Sequence, residues 1–444
     1  MFERAVEKEL MRWSTYKYRK PLVLRGARQV GKTTIVTRFA QNFENFLSLN
    51  LEKRAAKELF ESSDEVKKLL PMLFLYCNVP QKEGKTLLFI DEIQNSPHTV
   101  VLLRYFYEEL PEIYVIAAGS LLETMLDKHI SLPVGRVDYM ALSPCSFVEF
   151  LQATGESRFV EPILDGSLPP VFHEELAQIF KTFSLVGGMP EAVAQYAENH
   201  DIVSLQRIYN QLLNSYKSDV EKYAANKTEA EVIRYILDYG WTFAGEAITF
   251  GGFGGSPYKA RETGEAFRTL QKAMLLALVY PLTSVQMPAV ANLKRQPKLF
   301  WLDAGLINHV AKIRKEYLHS DLMDTWRGKA AEQMAYQELK TLSFDVGEKQ
   351  HFWVRTKRGS NAEADFVYVF DGTIFPIEVK SGHNAHLKSL HQFMDESNVD
   401  IGIRFWTNKF SIDEVKTING KIFKLLNLPL YMITALPKVL KKMA

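Results

Sequence analysis

Pro21-Leu-Val-Leu-Arg-Gly26-Ala-Arg-Gln-Val-Gly31-Lys32-Thr33-Thr34 decides how the rest of the chain is read. The stretch contains G-x-x-x-x-G-K-[ST], the loop with which nucleotide hydrolases turn backbone N–H groups toward a phosphate. Its flanks are those the loop requires. Leu22 to Leu24 is expected as a short buried parallel strand. Thr34 to Asn42 sets Ile35, Val36, Phe39 and Ala40 at helical spacing. Glycines at 26 and 31 let the backbone curl, and the helix N-terminus adds partial positive charge. Gly26, Ala27, Arg28, Gln29, Val30, Gly31, Lys32, Thr33 and Thr34 are therefore the expected phosphate cradle. Lys32 is expected at the β- and γ-phosphates, and the Thr33 hydroxyl on Mg²⁺.

Downstream, Thr86-Leu-Leu-Phe-Ile90-Asp91-Glu92 is an apolar strand ending in two acids. Acids at the carboxyl end of a buried strand stand where open α/β sheets bind ligands. Asp91 is expected to support Mg²⁺, and Glu92 to orient or polarise an attacking water. A further strand, Tyr114 to Ala118, ends in Gly119-Ser120. Ser120 reads either as a sensor of the γ-phosphate or as the N-cap of a helix over 121–125. Arg136 precedes a strand expected over 137–142. It reads either as an arginine reaching a neighbouring subunit's nucleotide or as a surface arginine in a turn. A helix over 2–13, a strand over 46–51 and helices over 53–61 and 63–70 complete this α/β unit, with Pro71 expected to stop the last of them.

The whole chain sets limits on function. Its 444 residues imply two to four domains. The hydrophobic (47%) and charged (24%) fractions are those of an ordinary globular protein. A net charge of +2 gives no global field for nucleic acid, so contact with DNA must come from local patches. Two cysteines, Cys77 and Cys145, are too few for a disulfide framework or a cysteine-rich zinc site. The charged start lacks a signal-peptide core, and no run of about 18 apolar residues suggests a membrane span. The expected localisation is cytoplasmic, with no membrane partner.

Gly26-Ala-Arg-Gln-Val-Gly-Lys-Thr33, Phe89-Ile-Asp-Glu-Ile-Gln94, Ala118-Gly-Ser120 and Leu142-Ser-Pro-Cys-Ser-Phe-Val-Glu-Phe150 together resemble the AAA-type P-loop ATPases of bacteria and archaea. Gly187-Gly-Met-Pro-Glu-Ala-Val193 and Leu302-Asp-Ala-Gly-Leu306 extend the resemblance along the chain. Members of that family carry a C-terminal domain of unknown function, usually classed as PD-(D/E)XK nuclease-like. The resemblance implies an α/β protein with a three-layer AAA-type ATPase core (1–150) and a C-terminal α/β nuclease-like sandwich (321–444). Between them, apolar residues at helical spacing over 172–224 read either as a helical lid (151–225) or as a plain structural helical domain, and a winged-helix-like region (226–320) follows.

The middle and last parts carry their own signals. Helices expected over 229–244 and 258–273 flank the loop Phe250-Gly-Gly-Phe-Gly-Gly255-Ser-Pro257, which lacks the Lys-[ST] of a second phosphate site. Strands over 275–280 and 298–302 follow, giving the element order of a winged helix. Lys259, Arg261, Arg268, Lys294, Arg295 and Lys298 read either as contacts to DNA phosphates or as charges on a domain used for protein packing. Near the C-terminus, Glu363-Ala-Asp365 and Glu378-Val-Lys380 sit on two strands joined at Asp371-Gly372, a hairpin signal. Residues two apart on a strand share a face, so Glu378 and Lys380 point together and the hairpin can bring Asp365 to them. This is the D…E-x-K arrangement of metal-dependent nucleases. Asp365 and Glu378 are expected as Mg²⁺ or Mn²⁺ ligands, with Glu332 added from the preceding helix. Lys380 is expected to position water or stabilise phosphate charge. Lys349, Arg355, Lys357 and Arg358 are further candidates for a nucleic-acid backbone, and Lys438, Lys441 and Lys442 read as a solvated tail.

Three functional readings stay open on the sequence. The first is an ATPase driving a nuclease that acts on DNA. The second is an ATP-dependent switch or scaffold whose C-terminal domain binds without cutting, with a homo-oligomer or protein partner as its output. The third is a plain ATPase with structural appendages.

Overall fold

The computed structural model describes residues 2–119, 135–312, 324–356, 362–381 and 387–443, with backbone alone at 324–327. Ser120, the helix expected at 121–125 and the turn bearing Lys357 and Arg358 lie outside the described residues. The first sheet contains β1 (Leu22–Arg25), β2 (Asn45–Asn50), β3 (Thr86–Asp91), β4 (Tyr114–Gly119) and β5 (Asp138–Ala141). All its pairings are parallel, in the order β2-β3-β4-β1-β5. Continuous apolar runs such as Leu87 to Ile90 form it because both faces are buried beneath helices. The order seats the carboxyl ends of β1 and β3 on either side of β4. A site shared between those two ends follows directly.

Helix Val66–Tyr76 passes through Pro71 instead of stopping there. Pro71 is exposed, so water can serve the Lys67 carbonyl that its missing N–H would have met. Val66, Leu69, Leu73 and Phe74 are buried on the opposite face and hold the helix together.

A run of helices from Phe147 to Tyr239 covers this core, the longest being His173–Val186, Gln206–Ser218 and Lys227–Tyr239. Helix Ala260–Lys272 packs on Lys227–Tyr239, and an antiparallel pair follows, β6 (Leu276–Val279) with β8 (Lys298–Trp301). Between them β7 (Pro281–Leu282) leaves to join the second sheet. That sheet also holds β9 (His351–Val354), β10 (Glu363–Phe370), β11 (Thr373–Lys380), β12 (Ile401–Trp406), β13 (Ser411–Lys416) and β14 (Ile422–Pro429). Its order is β13-β14-β12-β11-β10-β9-β7. Asp371 and Gly372, both at positive φ, close the β10–β11 hairpin. The basic C-terminal stretch is not a solvated tail. It forms the helix Leu436–Met443, which buries Leu436, Val439 and Leu440, and Lys438 pairs with Asp165.

The parts are joined through buried polar contacts. Asp303, fully buried, caps helix Ala304–Val310 by accepting from Leu306 N at 3.1 Å, and its other oxygen accepts from Gly188 N at 2.5 Å. Gly305 approaches Val186 so closely that a Cβ would lie 2.5 Å from the Val186 carbonyl oxygen. The two motifs Gly187-Gly-Met-Pro and Leu302-Asp-Ala-Gly-Leu are thus halves of one joint.

At a second joint, Glu338 on helix Asp324–Lys340 accepts from Phe147 N at 3.0 Å while almost wholly buried. Burial pushes its carboxyl up to about 8, from an ordinary 4.5. The folded chain then holds a proton there that the unfolded chain releases. The stability that this group contributes is present in full below pH 4.5 and is lost as pH rises toward 8. Glu338→Gln keeps the acceptor for Phe147 N and removes the titration. Urea midpoints measured at pH 5, 6.5 and 8 should fall in the wild type and fall less steeply in the variant, which lacks the share of the slope that belongs to Glu338.

Candidate functional site

The loop after β1 is shaped by backbone constraints. A Cβ at Gly26 would lie 2.6 Å from the Leu142 carbonyl oxygen, and Gly31 has a φ of 95°. Gln29 also sits at positive φ, which turns the loop before helix Lys32–Phe39 begins. Lys32 is buried, and its Nζ donates to Gly26 O and Ala27 O, both at 2.9 Å. Burial lowers its ammonium to about 8, with Glu92 and Asp91 opposing that change. Thr33 Oγ1 donates to Asp91 Oδ2 at 2.8 Å, bringing the loop to the end of β3. Glu92 has a left-handed backbone, and its carboxylate accepts from Gln94. Burial raises Glu92 above the usual carboxylate range, while Gln94 and Lys32 act in the opposite sense.

The expected cradle residues and both acids therefore converge. A hydroxyl and a carboxylate in contact, beside a buried ammonium and a curled loop, are the hard oxygen donors and the cation that a Mg²⁺-bound nucleotide phosphate takes. Arg136, by contrast, is half-buried and pairs at 2.8 Å with Glu108 of helix Pro97–Glu109.

Other elements complete the wall of the loop. Arg28 pairs with Asp219, which also lies 3.1 Å from Lys222. Pro190, first residue of helix Pro190–Asn199, stands against Gly31, where a Cβ would be 3.6 Å from its Cγ. Buried Arg4 donates to Ser143 O at 2.8 Å and to Val30 O at 3.4 Å, and pairs with Glu149 at 3.0 Å. Nothing local in the sequence marks Arg4, Asp219 or Pro190 as neighbours of the loop, because each arrives from a distant helix.

The second constellation lies on β10, β11 and helix Asp324–Lys340. Lys380 Nζ is 2.6 Å from Glu378 Oε1. Asp365 Oδ2 accepts from Val379 N at 2.8 Å, which fixes it beside β11. Glu378 Oε2 is buried, with no hydrogen-bond partner among the described residues. Glu332 faces the same group of charges. At their centre stands Lys298 of β8, 6% exposed, with Nζ 3.1 Å from Glu332, 2.7 Å from Glu363 and 3.8 Å from Asp365. Lys298 is therefore not on a DNA-facing surface. All four residues of the Lys-Leu-Phe-Trp strand are buried, and Lys298 can be among them because three carboxylates take its ammonium. A lysine opening an otherwise apolar strand was the one sequence signal for this role. Arg355 is likewise engaged, at 2.5 Å from Glu396.

Among the described residues no three His, Cys, Asp or Glu side chains already form a metal cage. The charges nevertheless leave room for a cation: four carboxylates face two ammonium groups. Two of these carboxyls, Glu378 and Glu332, are pushed toward the protonated form. Burial, with Asp365 next, raises Glu378 to about 8 and Glu332 to about 7. Donor type and charge suit a divalent cation, while the seat of Lys298 competes with one.

Residues 18–151 match a family described as AAA domain. Residues 177–317 and 327–431 match two families described as Domain of unknown function, DUF8612 and DUF4143. The chain thus carries a region similar to an AAA domain, followed by two regions whose matching families have no assigned role. Similar solved structures include a Walker-type ATPase of Pyrococcus abyssi, 15% identical, covering 70% of this chain and 96% of its own, with a TM-score of 0.44. The RuvB Holliday junction branch migration motor of Thermotoga maritima is 14% identical over 66% of this chain and 93% of its own, TM-score 0.27. The Orc1 protein of Aeropyrum pernix, solved in complex with DNA, is 14% identical over 70% and 93%, TM-score 0.27. No curated protein matches the chain. No helix of the described residues is long and apolar enough to cross a membrane.

Proposed function

We propose that this protein binds and hydrolyses ATP with Mg²⁺ and couples the nucleotide state to a PD-(D/E)XK nuclease-like domain acting on DNA. The observation that carries the ATPase reading is the Thr33–Asp91 contact beside buried Lys32 and raised Glu92. Lys32 and the loop N–H groups hold the phosphates, and Thr33 and Asp91 hold the metal. Glu92 orients the attacking water through a carboxylate steadied by Gln94. Bound Mg²⁺ would offset charge on the phosphate oxygens. Contacts from Pro190 and Asp219 support the lid reading of residues 151–225, since they meet the loop at Gly31 and Arg28.

Two helices followed by the β6–β8 pair support the winged-helix reading of residues 226–320. Lys259, Arg261, Arg268, Lys294 and Arg295 remain its candidates for DNA phosphates. In the C-terminal domain, Asp365, Glu378 and Glu332 are the proposed ligands of Mg²⁺ or Mn²⁺, and Lys380 is the group that stabilises phosphate charge. Lys298 favours a second reading. With an ammonium held among the carboxylates, the domain serves as a binding module in an ATP-dependent switch.

A gel assay on linear and supercoiled DNA with Mg²⁺ or Mn²⁺, with and without ATP, separates the two readings. Under the first, the wild type cuts and Lys380→Ala loses at least a hundredfold, on the scale of removing one electrostatic stabiliser. Intact DNA in every lane, with ATP still consumed, overturns the nuclease and leaves the switch.

A further inference from the structure

Two cations serve the single charge of Asp219. Its Oδ2 accepts from Arg28 of the phosphate loop, and its Oδ1 lies 3.1 Å from Lys222 Nζ. Asp219 is buried at the joint between helix Gln206–Ser218 and the short helix Val220–Tyr223. Its carbonyl accepts from Lys222 N at 2.8 Å and from Tyr223 N at 3.2 Å, which ties the residue to the start of the short helix. The side chain of Arg28 is 35% exposed and that of Asp219 only 5%, so Arg28 is the member of the pair that water reaches.

Arg28 also faces the catalytic side of the loop. The Asp219 hydrogen bond holds its guanidinium above the ordinary value, against the effect of burial, and Glu92 at the end of β3 acts in the same sense as Asp219. Arg28 is in turn one of the groups that lower the Lys32 ammonium, after burial. An arginine placed between a lid carboxylate and a phosphate site has two alternative anions, and its planar fork suits either. ATP brings its terminal phosphate to Lys32, Thr33 and Glu92, adding negative charge on that side of Arg28. When Arg28 turns to it, Asp219 keeps Lys222 on its other oxygen. The exchange thereby avoids the large penalty of a buried carboxylate stripped of its cation. ADP lacks the terminal phosphate and leaves Arg28 on Asp219. Lys32 is a precondition, because it holds the phosphate to which Arg28 turns.

We infer that Arg28 is a ligand of the terminal phosphate of ATP held in reserve by Asp219, so that ATP and ADP differ in which of the two anions it pairs with. The inference rests on the ATPase reading of the loop and is independent of the nuclease reading. It makes the pair the point at which the helices over 206–223 register the terminal phosphate.

The test is calorimetric titration of the full chain, in Mg²⁺, with ADP and with a non-hydrolysable ATP analogue. Arg28→Ala is expected to weaken the analogue by about tenfold or more, the scale of one hydrogen bond to a charged group, and ADP by less than about threefold. Asp219→Asn frees the arginine and is expected to tighten the analogue about threefold, the scale of one partly exposed ion pair, with ADP unchanged. In the double variant that gain disappears, because the arginine it frees is absent. Arg28→Lys keeps the charge without the fork, and should fall between wild type and Arg28→Ala for the analogue alone, whatever Arg28→Ala does to melting. Equal losses for both nucleotides in Arg28→Ala and Arg28→Lys overturn the inference and make the pair a strut of the lid. Asp219→Asn weakening both nucleotides overturns it likewise. Wild type that binds neither nucleotide overturns the ATPase reading itself and this inference with it.

Discussion

Lys32→Ala is expected to lower ATP turnover by about 10²–10³-fold, the usual loss when one preorganised electrostatic stabiliser of a transferring phosphoryl group is removed. The geometry explains why no neighbour can substitute. Lys32 is the cation directed over the loop, held by the carbonyls of Gly26 and Ala27. Arg28, the next cation in the loop, is turned away to Asp219. Arg4 is committed to Glu149 and to two backbone carbonyls. The variant should fold normally, because the helix Lys32–Phe39 is anchored by Ile35, Val36 and Phe39 and not by the ammonium. Steady-state phosphate release checks the prediction. Turnover within tenfold of wild type would sink the assignment of the loop.

Lys298→Ala should produce the second large effect, on stability. Removing the cation leaves Glu332, Glu363 and Asp365 facing one another with Lys380 alone to offset them. Breaking a buried pair typically costs about 3–5 kcal/mol. If this is the position a divalent cation takes, Mn²⁺ should restore much of that loss in Lys298→Ala and add little to the wild type. Urea denaturation in EDTA and in Mn²⁺ reads both. A variant as stable as wild type in EDTA would show that the carboxylates do not need Lys298. A loss that Mn²⁺ leaves untouched would remove the metal from the account.

Much of the ATPase domain was legible because its chemistry is local. The loop, the strand before it and the helix after it are contiguous, and the Asp91-Glu92 pair ends an apolar run whose burial on both faces is itself a sequence pattern. The α/β class and the parallel core follow from those runs. The C-terminal hairpin was legible for the same reason, since Asp371-Gly372 sets the register that aligns β10 with β11. Long-range pairings were not legible. Lys298 reaches Glu332 across 34 residues, and Arg28 reaches Asp219 across 191. Neither end carries a pattern that names the other. Pro71 misled for a different reason: propensity marks it as a stop, but an exposed position lets water replace the lost hydrogen bond while buried neighbours keep the helix going.

The two-residue strand β7 has a practical consequence for dissecting this molecule. Pro281 and Leu282 run parallel to Phe352 and Trp353 and form the outer margin of the second sheet. Proline there offers one hydrogen-bond donor fewer to any passing chain, a common way to blunt a margin. A fragment begun at residue 321 would discard that border and bare the His-Phe-Trp-Val strand behind it, inviting self-association in the test tube. A fragment begun upstream of β6 keeps the border, and with it Lys298.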